Sequence, residues 1–208
     1  MQTEKFKVIY QDSNVLVIDK PAGINSDDFE KRAHRLDKNT SGVLIIAKNN
    51  KTLKFLQEQF KEKRAIKKYL ALVVGNLKSK RGEIETLIGR SQKNRKKQKV
   101  YLPNEPGAKE KRKAISNYRV LKSFKGYDLI EVEPQSGRKH QIRVHFSYLQ
   151  HPIAGDKMYG FKNQPTQKGL KRQFLHASYL KIRITENQEK EFKSDLPEDL
   201  KEVLNNLK

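Results

Sequence analysis

The chain has 208 residues, which is one domain or at most two small ones. A chain of this size buries roughly 70% of its unfolded surface without covalent staples. Its 45 Lys and Arg against 24 Asp and Glu leave a net charge of +21, which excludes an acidic solvating protein and points to a polyanionic partner.

The lack of cysteine excludes disulfides, thiolate nucleophiles and Cys-ligated metal centres. No apolar run approaches the length of a membrane span, and the start at Met1 has no apolar signal segment. The expectation is a cytoplasmic protein with no membrane association.

The first apolar runs read as strands. Val8-Ile9-Tyr10 and Asn14–Asp19 flank a turn at Asp12-Ser13-Asn14, and Lys20-Pro21-Ala22-Gly23 ends that hairpin. Gly42–Ala47 is apolar throughout, the pattern of a strand covered on both faces. Leu53, Leu56 and Phe60, with Phe55 beside them, predict a helix capped by Asn50 or Thr52. Ala65–Val74 alternates and then turns wholly apolar, as a strand entering the core does, and Gly75 closes it.

Lys78–Gly82 reads as a loop and Glu83–Ile88 as a strand. From Arg90 to Lys113 ten Lys or Arg face two Glu, with Pro103, Pro106 and Gly107 among them. This predicts a hairpin or loop held out into solvent, whose charge is better explained by phosphate contact than by solvation alone. Ile115–Leu121 and Tyr127–Val132 pair across Lys125-Gly126, and Gln141–Leu149 has helical spacing through Ile142, Phe146 and Leu149. His176–Ile184 is a late strand. Pro197–Leu207 is a closing helix with Leu200, Val203, Leu204 and Leu207 as its stripe, starting near Asp195 or Pro197. Seven or eight strands in neighbouring pairs and three helices predict an α+β fold with a mixed, mostly antiparallel sheet, without internal repeat.

The densest polar cluster is His34-Arg35-Leu36-Asp37-Lys38-Asn39-Thr40-Ser41-Gly42, on the loop before a buried strand. Asp37 is the only carboxylate from Lys31 to Thr52, set among cations. A carboxylate ionised at neutral pH suits a nucleophile or base better than an acid. From composition alone, a turn-capping role is the better account of it. A second cluster runs from Ser136 to Phe146. It places Arg138-Lys139-His140 at a helix start, where backbone N–H groups attract anions, and a guanidinium on that helix could reach Asp37. Solvent contact by a basic helix face is the alternative. His140 and His145 are five apart and share no helical face, so no metal site is expected. The loop His151–Gly160 reads as structural. Tyr69, beside Lys67 and Lys68, is either a stacking platform for a base or a core ring with its hydroxyl at the rim. No phosphate-binding or dinucleotide-binding Gly motif is present, nor is a zinc-protease or nucleophile-elbow motif.

At Asp37 the sequence resembles the H-R-L-D-x-x-T-S-G signature of the RluA-type pseudouridine synthases. Asp19-Lys20-Pro21-Ala22-Gly23 resembles the family's N/D-K-P-A-G. Lys68-Tyr69 is similar to its K-x-Y, and Ile88-Gly89-Arg90 with Arg95-Lys96-Lys97 to its basic insert. Gly137–His145 resembles G-R-T-H-Q-I-R-V-H, and His151–Asp156 and Leu175-His176-Ala177 complete the set in order. Several ordered motifs together outweigh the turn-cap account of Asp37.

The resemblance implies the pseudouridine synthase catalytic core, with flanking helices and a central RNA-binding cleft. It also implies isomerisation of a uridine in ribosomal or transfer RNA, without cofactor or metal. By that resemblance Asp37 is the catalytic aspartate, Tyr69 packs on the target base and Arg143 pairs with the aspartate. Arg35 then lies beside the flipped nucleotide, with His34, Arg90, Arg95, Lys96, Lys97, Arg138 and His140 as further RNA contacts. The uracil must leave its glycosidic bond, rotate and rejoin through carbon, so the nucleotide has to come out of its stack.

The chain departs from the family in the ten residues between Gly23 and His34, where a longer segment is usual. It is expected to be a single catalytic domain over 1–208 without an N-terminal accessory domain. A monomer is compatible with this. The rival is a non-catalytic RNA-binding or ribosome-assembly factor on the same scaffold, which would have no need of Asp37, Tyr69 and Arg143 together. A basic ribosomal structural protein fits the buried apolar strands less well.

Overall fold

The computed structural model describes residues 6–164 and 167–207. Met1–Lys5, read above for a signal segment, lies outside them. Among the described residues there are ten strands and three helices, and no helix is long and apolar enough to cross a membrane. The chain packs as two compact units. One comprises residues up to Tyr69 with Leu175–Glu198, the other Leu70–Phe174 with the residues from Asp199 onward.

In the first unit β1 (Lys7–Gln11), β2 (Val15–Lys20) and β3 (Ser41–Ala47) form an antiparallel meander. The β1–β2 turn forms because Asp12 Oδ1 accepts the N–H groups of Asn14 and Val15, both at 2.7 Å. β3 is buried at six of its seven positions, as its unbroken apolar run predicts. Its first residues pair in parallel with β9 (Leu175–Thr185) through Ser41 opposite His176 and Gly42 opposite Ala177. Gly42 has φ +116°, and a Cβ there would stand 2.2 Å from the Ala177 carbonyl oxygen, so only glycine admits this approach. β10 (Gln188–Lys193) pairs antiparallel with β9. Helix α1 (Asn50–Lys61) packs Leu56 against the core of Val17, Val43, Ile45 and Ile182.

β4 (Ile66–Val74) carries the chain from the first unit into the second. There β5 (Arg81–Arg90), β6 (Gln98–Tyr101), β7 (Arg112–Phe124) and β8 (Tyr127–Pro134) form an antiparallel array in the order β8-β7-β5-β6. α2 (Gln141–Tyr148) packs across these strands, and α3 (Glu198–Asn205) closes the chain with Leu200 and Val203 buried.

Two expectations change, and one strand is added. The cap of α1 is Asn49, whose side chain accepts the Thr52 N–H at 2.8 Å, in place of Asn50 or Thr52. That choice lets the side chain reach N3 from an extended backbone. The basic stretch from Arg90 forms the hairpin that was one of its two readings, with β6 paired to β5, but it is not wholly held out into solvent, because Tyr101 is buried and donates its hydroxyl to the Arg90 carbonyl at 2.7 Å. β10 has no apolar alternation beyond Phe192, so its sequence carries no strand signal. It is a strand because β9 supplies its hydrogen-bond partners.

Candidate active site

Each unit presents one group of the residues singled out above. In the first, Asp37 lies half-buried on the loop between Ala33 and β3, and the loop is pinned from several sides. Lys20 is fully buried, and its ammonium donates to the carbonyls of Pro21 (2.8 Å), Ile24 (2.9 Å) and Lys38 (3.2 Å). The Lys38 carbonyl also accepts the Gly23 N–H at 2.8 Å. A buried ammonium is expensive unless every proton is placed, and here it draws three carbonyl dipoles around the residue that follows Asp37.

Ser26 holds Leu36 from both sides. Its hydroxyl donates to the Leu36 carbonyl and accepts the Leu36 N–H, each at 2.9 Å. The short Gly23–His34 segment therefore supplies a clamp for the loop. Beyond Asp37, Ser41 Oγ lies 3.0 Å from His176 Nδ1, while His176 Nε2 donates to the Ser194 carbonyl at 3.0 Å. Leu36 enters a small apolar cluster with Ile18, Leu44 and Ala177, and Tyr69 packs on the same cluster. Burial, and after it the negative charge of Asp37, push the Tyr69 phenol above its ordinary value, so it stays protonated at any working pH.

His34 is half-buried in the unit. Its Nε2 accepts the Ile45 N–H at 3.3 Å, and its ring leans on Phe60 with centroids 4.7 Å apart. Burial and the nearby Lys67 lower its pKa to about 3, so the ring is neutral and supports the loop. Arg35 is exposed, with its guanidinium 3.2 Å from Asp27, a carboxylate shared with Arg32 at 2.5 Å.

In the second unit the stretch around α2 is built on Gln141. Its Oε1 accepts from Ser136 Oγ (2.7 Å) and the Arg138 N–H (3.0 Å), and its Nε2 donates to the Ile115 carbonyl and Ser116 Oγ, both at 2.9 Å. Two residues on, Arg143 is almost fully buried and gripped by Asp156 with Nε to Oδ2 at 2.7 Å and Nη2 to Oδ1 at 2.9 Å. Asp156 Oδ1 also accepts the N–H groups of Met158 (2.9 Å) and Tyr159 (3.1 Å).

His145 lies between Thr86 Oγ1 (2.9 Å) and Ser116 Oγ (3.0 Å), and burial lowers its pKa to about 4. Arg138 donates to the Lys113 carbonyl at 3.1 Å, and His140 Nδ1 lies 2.8 Å from the Tyr159 hydroxyl. Arg90, Arg95 and Lys96 are exposed on the extension, while Lys97 is half-buried. Among the described residues no group of three or more His, Asp or Glu is poised to hold a metal ion.

The roles of Lys20, Ser26, Asp156 and Tyr159 in holding these residues were not foreseen. Asp156 carried one signal: it is the only carboxylate between Glu133 and Glu186, and so the only acid that stretch offers to Arg143.

Residues 14–148 match the family model described as RNA pseudouridylate synthase. The ribosomal large subunit pseudouridine synthase D of Borreliella burgdorferi is 40% identical over 230 residues, covering 96% of this chain and 68% of that protein. The ribosomal large subunit pseudouridine synthase C of Vibrio parahaemolyticus is 32% identical over 225 residues, covering 97% and 69%. Among solved structures, human RNA pseudouridylate synthase domain containing 1 superposes with a TM-score of 0.80 at 28% identity, covering 95% of this chain and 86% of that one.

Proposed function

Since the chain belongs to the RNA pseudouridylate synthase family and is an RNA pseudouridine synthase, we propose that Asp37 is its catalytic carboxylate and that its substrate is a uridine of large-subunit ribosomal RNA. The observation that carries the assignment is Asp37 itself, half-buried on a loop pinned by Lys20 and Ser26, in the unit whose apolar cluster also seats the partly buried Tyr69. The ribosomal choice is supported by what the similar proteins from Borreliella and Vibrio are named for. The single catalytic domain carries the 90–113 extension as part of its RNA surface.

The reaction breaks the bond from ribose C1′ to N1 of uracil and forms one from C1′ to C5. The C5 hydrogen leaves as a proton and N1 gains one, so atoms balance without a co-reactant. Asp37 supplies the negative oxygen that receives the sugar carbon, attacks the base or removes a sugar proton. Tyr69, neutral and fixed by the apolar cluster, packs on the detached ring and keeps it from leaving. Arg143, held in one orientation by Asp156, is assigned by the family motif as the guanidinium of the reaction. Arg35 contacts the RNA beside the extruded nucleotide. Arg90, Arg95, Lys96, Lys97 and the Arg138–His140 segment contact its backbone, with His34 supporting the loop from within.

The test is a pseudouridine map of cellular RNA with and without this gene. Loss of a site in large-subunit ribosomal RNA supports the assignment. Loss confined to transfer RNA transfers the substrate there, and no change removes the enzymatic reading.

A further inference from the structure

Tyr159 joins the basic extension to Arg143. Its hydroxyl accepts the backbone N–H of Gln98, the first residue of β6, at 2.8 Å, and lies 2.8 Å from Nδ1 of His140, the residue that caps α2 in a left-handed conformation. Its ring faces two cations, with the Arg143 guanidinium carbon 5.0 Å and Lys97 Nζ 6.0 Å from the centroid. The Asp156 carboxylate that grips Arg143 also accepts the Tyr159 N–H, so the Tyr159 backbone and the guanidinium are tied to one carboxylate.

A tyrosine that merely fills space needs only its ring. Here the ring packs on Ile88, Ala114 and Val144, but the hydroxyl is engaged by two separate elements, each carrying residues assigned to RNA or to chemistry.

We propose that Tyr159 is a positioning residue that transmits engagement of the basic extension by RNA to the orientation of Arg143. The inference rests on the assignment of Arg143 and the extension made above. A phosphate that binds at Arg95–Lys97 pulls on the start of β6. The Gln98 N–H passes that displacement to the Tyr159 hydroxyl, and the ring, seated against the guanidinium, passes it to Arg143. The device makes full reactivity conditional on RNA being held at the extension.

The test measures tritium release from 5-tritiated uridine in total RNA of cells lacking the gene, together with filter binding of the same RNA. It compares the full chain, Tyr159→Phe, the triple variant Arg95→Ala/Lys96→Ala/Lys97→Ala, and the two combined. Tyr159→Phe keeps the ring and removes the hydroxyl. The expected result is a fall of about tenfold in single-turnover rate at saturating RNA, with RNA affinity within about twofold of the parent. The triple variant weakens binding and also slows the saturated rate, and the combination is no slower than the slower of its two parents.

A saturated rate unchanged in Tyr159→Phe, or effects that multiply in the combination, overturns the proposal. If Tyr159→Phe melts below the parent, rates are read where both are fully folded and judged in the same way. Asp37→Asn is run alongside. If it still releases tritium, the site assignment fails; if it is dead while Tyr159→Phe is normal, only the coupling fails.

Discussion

The Arg143 guanidinium and the Asp156 carboxylate form a buried ion pair through two parallel hydrogen bonds, and the carboxylate is completed by two backbone N–H groups of its own loop. Such a pair is weak evidence for added stability, because both ions lose water, but removing one partner strands the other. Asp156→Ala is therefore expected to cost about 3–5 kcal/mol in urea unfolding and to abolish turnover. Arg143→Lys keeps the charge and loses the planar fork, so it should stay folded and lose rate. A stable, active Asp156→Ala would show that Asp156 does not hold Arg143 for the reaction.

Asp37→Asn preserves volume and removes the charge. It should eliminate pseudouridine formation while leaving the melting temperature and RNA affinity close to the parent. Turnover near the parental rate would remove Asp37 from the chemistry.

Lys20→Met replaces the buried ammonium with an uncharged chain of similar length and leaves the Pro21, Ile24 and Lys38 carbonyls without that donor. Leaving buried acceptors unsatisfied costs about 1–3 kcal/mol each in the worst case. The expected outcome is a destabilised protein whose rate, measured where it is still folded, falls as the Asp37 loop loosens. Protection of the Lys38–Thr40 amides from hydrogen exchange should fall with it, and unchanged protection would contradict the clamp.

His145 gives stability a pH dependence of known sign. Its folded pKa of about 4 lies below the ordinary 6.5, because burial disfavours the charged ring. Below 6.5 the unfolded chain takes up a proton that the folded one refuses, so stability falls as pH drops from about 6.5 toward about 4. His34, lowered to about 3, acts in the same direction. Urea midpoints measured across that range should decline, and His145→Gln should flatten the decline. An undiminished slope in the variant would assign the effect to other groups.

The extension predicts a salt signature. Replacing Arg95, Lys96 and Lys97 with Ala should weaken RNA binding and reduce the slope of log affinity against log salt by about one for each phosphate no longer neutralised. A parallel shift with the slope preserved would show that these side chains do not meet phosphate.

Local pattern was enough to place most of the elements. The unbroken β-branched run Gly42–Ala47 has the pattern of a strand covered on both faces, and Leu53, Leu56 and Phe60 recur at the 3.6 period of a helix face. Order and spacing of polar motifs named the family, since chemistry constrains residue types at fixed offsets along a loop. β10 escaped because only Phe192 marks it. Asn49 escaped because a cap depends on one backbone dihedral rather than on a pattern.

The amino-acid sequence by itself determined most of the segments that would be strands or helices and, through its ordered motifs, which family the chain belongs to. Tertiary structure alone decided what holds the polar loops in place: Asp156 against Arg143, Lys20 beneath the Lys38 carbonyl, and His176 against Ser41 across 135 positions of chain. Hydrogen-bond partners are selected by distances of a few ångströms between side chains, and those distances exist only after strands have found their register.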